Sequence, residues 1–161
     1  MKTFQDLQEG VYDPNILKAF FLAGGPGSGK SYVVKRGTGG LGLKIVNSDD
    51  TFEKYIKDAG LSMKMPKSQE EPRDKLRDRA KAITKMKLDN YVAGRLGLII
   101  DGTGKEYDKI AKQATGLKQL GYDVHMIFVN TSLETALKRN AARDRTVPRS
   151  IATKSWKTVQ S

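Results

Sequence analysis

Residues 20–35 read FFLAGGPGSGKSYVVK. The apolar run that ends at Ala23 has the length of a buried strand. Gly24, Gly25, Gly27 and Gly29 then interrupt it, and the chain resumes with Lys30, Ser31 and a helix-like pattern over residues 28–36. Glycines at such a junction let the backbone fold tightly and turn its amide N–H groups inward, with no Cβ in the way. A helix starting directly afterwards adds the positive end of its dipole. A strand, an anion-binding turn and a helix in that order make this segment the centre of an α/β fold.

Residues 24–31, GGPGSGKS, match G-x-x-x-x-G-K-[ST], the Walker A loop. Gly25, Pro26, Gly27, Ser28 and Gly29 are then the turns that wrap a polyphosphate such as that of ATP. Lys30 reaches the terminal phosphates, and the Ser31 hydroxyl is placed to ligate Mg²⁺. The bland alternative is a chance glycine turn, and the strand–loop–helix context argues against it. The loop alone does not name a reaction, since switches, motors and kinases share it.

Outward from the loop, strands and helices alternate. Strands are expected at residues 19–23, 43–47, 96–101 and 124–129. Helices are expected at 51–59, from Pro72 to about 92, at 108–120, at 133–143 behind an N-cap at Ser132, and at 151–159. Continuously apolar strands alternating with helices predict a parallel sheet covered on both faces. The fold class is therefore α/β, a three-layer α/β/α sandwich of about four to five strands. One domain is expected over residues 1–161, with an N-terminal arm at 1–17, a substrate-side helical region at 61–95 and an arginine lid at 138–149. Arg73, Arg77, Lys81, Lys85 and Lys87 are expected on the outer surface of the long helix.

Composition narrows the classes. The 161 residues include no cysteine, which removes disulfides, thiol catalysis and cysteine metal sites and fits a cytoplasmic setting. No signal-peptide pattern opens the chain and no apolar run is long enough to span a bilayer, so no membrane partner is expected. A net charge of +11 favours anionic partners: nucleotides, phosphorylated sugars or nucleic acid.

The second half of the chemistry lies beyond the strand ends, where open parallel sheets bind ligands. VNSDD, residues 46–50, puts Asp49 and Asp50 beside the loop. A carboxylate there can take the proton of an attacking hydroxyl; one of the two can instead cap the following helix. Asp101, closing the third strand, can serve the Mg²⁺ shell or orient substrate, and Thr103 and Lys105 follow on the same side. Arg139 and Arg143, four residues apart, share a helix face, and Arg145 follows just beyond. Such a cluster can neutralise the charge that phosphoryl transfer spreads over the equatorial oxygens. His125, the one histidine, and Trp156 read as structural.

Taken together, GGPGSGKS, VNSDDTF, IIDGTGK and RNAARDRTVP resemble the zeta-toxin and polynucleotide-kinase branch of the P-loop kinases. The likeness is nearest to zeta-toxin-like kinases of tailed bacteriophages, and it runs from about Lys18 to the end of the chain. It implies the P-loop NTPase fold and an ATP-dependent phosphotransferase acting on a hydroxyl. Zeta toxins phosphorylate a UDP-activated amino sugar, and polynucleotide kinases a 5′-hydroxyl of nucleic acid. It further implies Lys30 and Ser31 for ATP·Mg²⁺, Asp49 as the acceptor-activating carboxylate, and Arg139 and Arg143 as lid residues. Counting from Asn47 selects Asp49 and counting back from Thr51-Phe52 selects Asp50; the strand end favours Asp49. Three features depart from the pattern. Asp101-Gly102-Thr103 stands at the third strand, Phe52 or Glu53 stands where polynucleotide kinases often carry an arginine, and the sequence stops soon after the lid.

Three readings follow. The first is a small-molecule kinase of zeta-toxin type, acting on a phosphorylated acceptor such as a nucleotide sugar. The second is a polynucleotide or nucleoside kinase, favoured somewhat by the basic helix. The third is an ATP-binding sensor or assembly protein without transfer activity.

Overall fold

The structure, a computed structural model, describes residues 13, 15–37, 39, 41–104 and 106–160. Most of the anticipated N-terminal arm therefore lies outside the described residues, as does Lys105. Strands are β1 (Lys18–Ala23), β2 (Lys44–Val46), β3 (Leu98–Asp101) and β4 (Asp123–Phe128). Helices are α1 (Lys30–Gly37), α2 (Ser48–Asp58), α3 (Glu70–Ala93), α4 (Tyr107–Gln119), α5 (Leu133–Ala141) and α6 (Arg149–Gln160). The four strands form one parallel sheet in the order β2-β3-β1-β4, with Phe21 level with Ile100 on one side and Met126 on the other.

Alternation along the strands divides the core between two faces. Ala19, Phe21, Val46 and Leu98 point to the face covered by α3 and α4, where Leu88, Tyr91, Val92, Ile110, Ala114 and Leu117 join them. Leu22 and Ile99 point the other way, onto Val34 of α1. The α/β/α expectation holds, with four strands. Phe52 and Ile56 of α2 pack on Ala80 of α3 in a separate cluster, with Leu61, Met63 and Met65 around them. α3 also packs against β2, so the α2–α3 pair lies at the β2 end of the sheet.

Several boundaries differ from the expectations, and two of them matter for the site. Asn47 rather than an aspartate caps α2: it is extended (φ −140°, ψ 120°) and its Oδ1 accepts from Asp49 N. The helix therefore starts three residues earlier than expected, at Ser48 rather than Thr51. Asp49 and Asp50 occupy its first turn instead of the strand end. α5 ends at Ala141, with Ala142 as its C-cap, so Arg143 lies beyond the helix and does not share a helical face with Arg139. Pro72 stands third in α3, where a missing N–H still costs no helical bond.

β4 is an edge strand, not the fully buried one its apolar sequence suggests. Met126 and Phe128 are 55% and 46% exposed. His125 stacks on Phe20 with ring centroids 5.4 Å apart, and its Nε2 lies 2.9 Å from Asp123 Oδ2, in keeping with a structural role. Among the described residues no helix is long and apolar enough to cross a membrane.

Candidate active site

The phosphate loop is built by close approach. Gly24, Gly27 and Gly29 adopt φ of +150°, +80° and +104°. At Gly27 a Cβ would sit 2.1 Å from the carbonyl oxygen of Ala136, so α5 rests directly on the loop. Gly25 backs onto Trp156 of α6, whose indole N–H donates to Thr131 O at 2.8 Å and ties that helix to the end of β4. The Gly24 N–H donates to Thr103 O at 3.1 Å, joining the loop to the segment after β3.

Lys30 opens α1 and curls over its own loop, its Nζ donating to Gly24 O at 2.7 Å. Burial lowers its pKa; the carboxylates of Asp101 and Asp49 oppose that shift, and Arg143 adds to it. Ser31 is exposed in the same cleft. The Ser28 hydroxyl is buried without a hydrogen-bond partner among the described residues.

Opposite the lysine stands an acidic wall. Asp101 closes β3, and its Oδ2 accepts from Asn47 Nδ2 at 3.1 Å, while Oδ1 is buried without a partner among the described residues. Burial raises its pKa, and Lys30 works against that shift. Asp50 is raised as well, by burial first and then by the charges of Glu53 and Asp49, with Arg145 and Arg143 opposing. Asp49 Oδ2 lies 3.0 Å from Arg145 Nη2.

A single cleft brings together Pro26 through Ser31, Asp49, Asp50, Asp101, Thr103, Arg139 and Arg143. Gly25 lies behind this lining and contributes its carbonyl to Lys30 at 3.4 Å. Arg139 Nη1 donates to Ser28 O at 3.3 Å, so this arginine lies on the phosphate loop. The cleft also contains Arg145 and Val147 of the expected arginine segment, and Asn47 and Glu53, to which sequence reasoning gave no role there. Asn47 carried a readable signal, an Asn before a helical run, but the neighbouring Ser48, Asp49 and Asp50 are cap formers too.

Arg77 corrects the sequence reading most clearly. It was expected on the outer surface of α3; instead its guanidinium lies over the Phe52 ring, 4.2 Å from the centroid, with Nη1 4.0 Å from Asp49 Oδ1. Three of the other marked residues make local contacts. Lys81 pairs with Asp78, Lys85 pairs with Asp89, and Arg73 donates to Pro66 O.

Several solved structures share this architecture. The Pnkp1/Rnl/Hen1 RNA repair complex contains a chain that matches with TM-score 0.67 and 18% identity, over 98% of this chain and 47% of that one. The PezAT toxin–antitoxin system of Streptococcus pneumoniae matches with TM-score 0.58 and 21% identity, over 77% and 51%. The AvrRxo1-ORF1:-ORF2 complex with ATP matches with TM-score 0.65 and 16% identity, over 89% and 47%. The present chain thus spans about half the length of each. No curated protein matches the sequence significantly. A phosphate loop facing an acidic helix start, with an arginine-bearing segment beside it, accompanies a match to the family model described as Zeta toxin over residues 5–160; the chain belongs to that family.

Proposed function

We propose that this protein is an ATP-dependent kinase that moves the γ-phosphate to a hydroxyl of a small, phosphorylated acceptor such as a nucleotide sugar. The observation that carries the reading is the single cleft in which Lys30 and the glycine loop face Asp49. The hydroxyl oxygen bonds to the γ-phosphorus, the bond to the β-phosphate oxygen breaks, ADP leaves, and the hydroxyl proton passes to Asp49. Lys30 moves from its loop carbonyls to the transferring phosphate. Arg139 and Arg143 balance the charge on its equatorial oxygens.

The residues present fit a Mg²⁺ ion. Such an ion keeps most of its waters and takes one or two protein ligands alongside phosphate oxygens. The partnerless Asp101 Oδ1 and the exposed Ser31 hydroxyl supply those donors. When bound, the ion offsets charge on the β- and γ-phosphates.

On α3, Arg77 is turned to Phe52 and Asp49 rather than outward, which removes one cation from the basic face that the nucleic-acid reading uses. The test is γ-labelled ATP with nucleotide sugars, nucleosides and 5′-hydroxyl oligonucleotides, alongside Lys30→Ala as the inactive control. Label in a nucleotide sugar supports the reading. Label in oligonucleotides alone moves the acceptor class, and ATP binding without transfer to any acceptor leaves a sensor.

A further inference from the structure

Arg145 is the most deeply buried of the site's arginines, with 7% of its side chain exposed, yet phosphoryl transfer as described needs no contact with it. It lies in the segment between α5 and α6, and it reaches across the cleft to α2. There its Nη2 lies 3.0 Å from Asp49 Oδ2 in an ion pair, and its Nε donates to Glu53 Oε1 at 2.6 Å. Asp49 and Glu53 are one helical turn apart, so one planar guanidinium spans both.

The segment that carries Arg145 is itself pinned. The Asn140 amide, 5% exposed, donates to Val147 O at 2.7 Å and accepts from Val147 N at 3.1 Å. Both ends of the turn are thereby held by one side chain. Burying a guanidinium is costly unless it is paired and hydrogen-bonded, and here two carboxylates offset that cost. The pairing engages Oδ2 of Asp49 and leaves Oδ1, whose contact with Arg77 is long at 4.0 Å, to meet a hydroxyl.

We propose that Arg145 is a positioning residue for the phosphotransferase reaction. It locks the Asp49 carboxylate in one orientation and couples it to the arginine-bearing segment. The role rests on the kinase reading above.

The test crosses Arg145→Lys with Asp49→Asn. It follows γ-labelled ATP with water, a UDP-amino sugar and a 5′-hydroxyl oligonucleotide as acceptors. Lysine keeps the charge and cannot bridge both carboxylates. Arg145→Lys should lower kcat roughly 10–100-fold, the scale of a misplaced reacting group, with the KM for ATP and the ATP-induced Tm rise unchanged. In the Asp49→Asn background it should lower kcat no further. Glu53→Gln, which keeps the shape around Arg145, should give a smaller kcat loss and serves if the arginine variant folds poorly. Wild-type kcat in both Arg145→Lys and Glu53→Gln, or an equal loss in both Asp49 backgrounds, overturns the role while leaving the kinase reading intact. A wild-type chain that moves label to none of the three acceptors overturns the kinase reading and this role with it.

Discussion

Gly27→Ala is the sharpest probe of how the phosphate loop is held. The new Cβ would lie 2.1 Å from Ala136 O and 3.1 Å from Ala136 Cα, on a residue whose φ is +80°. Ordinary contact requires α5 and the loop to separate by roughly an ångström. The left-handed backbone and the overpacking together cost on the order of 3 kcal/mol, which is about 6–12 °C of Tm for a chain of this length. The separation also carries Arg139 off the loop, because its Nη1 is bonded to Ser28 O. ATP binding should suffer beyond the loss of stability. Gly25→Ala is the matched control: its Cβ would meet Trp156 Cα at 3.4 Å, an ordinary contact. Thermal melts of both variants, with and without ATP and Mg²⁺, read the two effects separately. The reasoning fails if Gly27→Ala melts with the wild type and keeps its full ATP-induced rise.

Other outcomes follow from the acidic wall and from the proposed metal donors. Asp49→Asn should lower kcat roughly 10²–10⁴-fold, the range of a general base, with ATP affinity unchanged; a larger loss in Asp50→Asn would move the base by one residue. Asp50→Asn should also raise the Tm of the nucleotide-free protein near pH 7. Its carboxyl is pushed above the ordinary value of 3.8 by burial and by Glu53 and Asp49, so its charge costs stability above the raised value and nothing below about pH 4. Melts across that pH range should therefore show the gain fading as pH falls, and a gain independent of pH would count against the cause. EDTA should remove most of the Tm rise that ATP and Mg²⁺ produce; an undiminished rise would argue against Ser31 and Asp101 as metal donors.

The architecture was legible because its signals are local. Glycine spacing, short apolar runs and one proline each report on a few neighbouring residues, and those residues fall where the sheet places them. The candidate site was legible in its parts to the extent that Lys30, Ser31, Asp49, Asp50, Asp101, Thr103, Arg139 and Arg143 line one cleft. What sequence could not supply is which partner each charge finds across the fold. Arg77 lies in a run of basic residues along α3, and its neighbours pair with acids within their own helix. Arg77 instead covers Phe52 from a different element, a contact that helical spacing alone does not predict. The same holds for β4: an apolar strand reads alike at the centre of a sheet and at its edge, and its exposure depends on how many strands lie beyond it.

The arginine segment shows how burial divides one sequence signal into separate tasks. Arg139, Arg143 and Arg145 stand within seven residues and look equivalent as a basic cluster. The end of α5 at Ala141 breaks that equivalence, because side chains before and after it leave the backbone in unrelated directions. Arg139 stays on the helix and follows the phosphate loop through Ser28 O. Arg143 is exposed in the cleft, where a guanidinium keeps its hydration and its freedom to approach a phosphate. Arg145 has given up its water and is held by two carboxylates, so moving it means breaking both bonds while it is still buried. Closure over a nucleotide should therefore displace Arg143 far more readily than Arg145. The Asn140 clasp on Val147 is what allows one short segment to carry a fixed arginine beside a movable one.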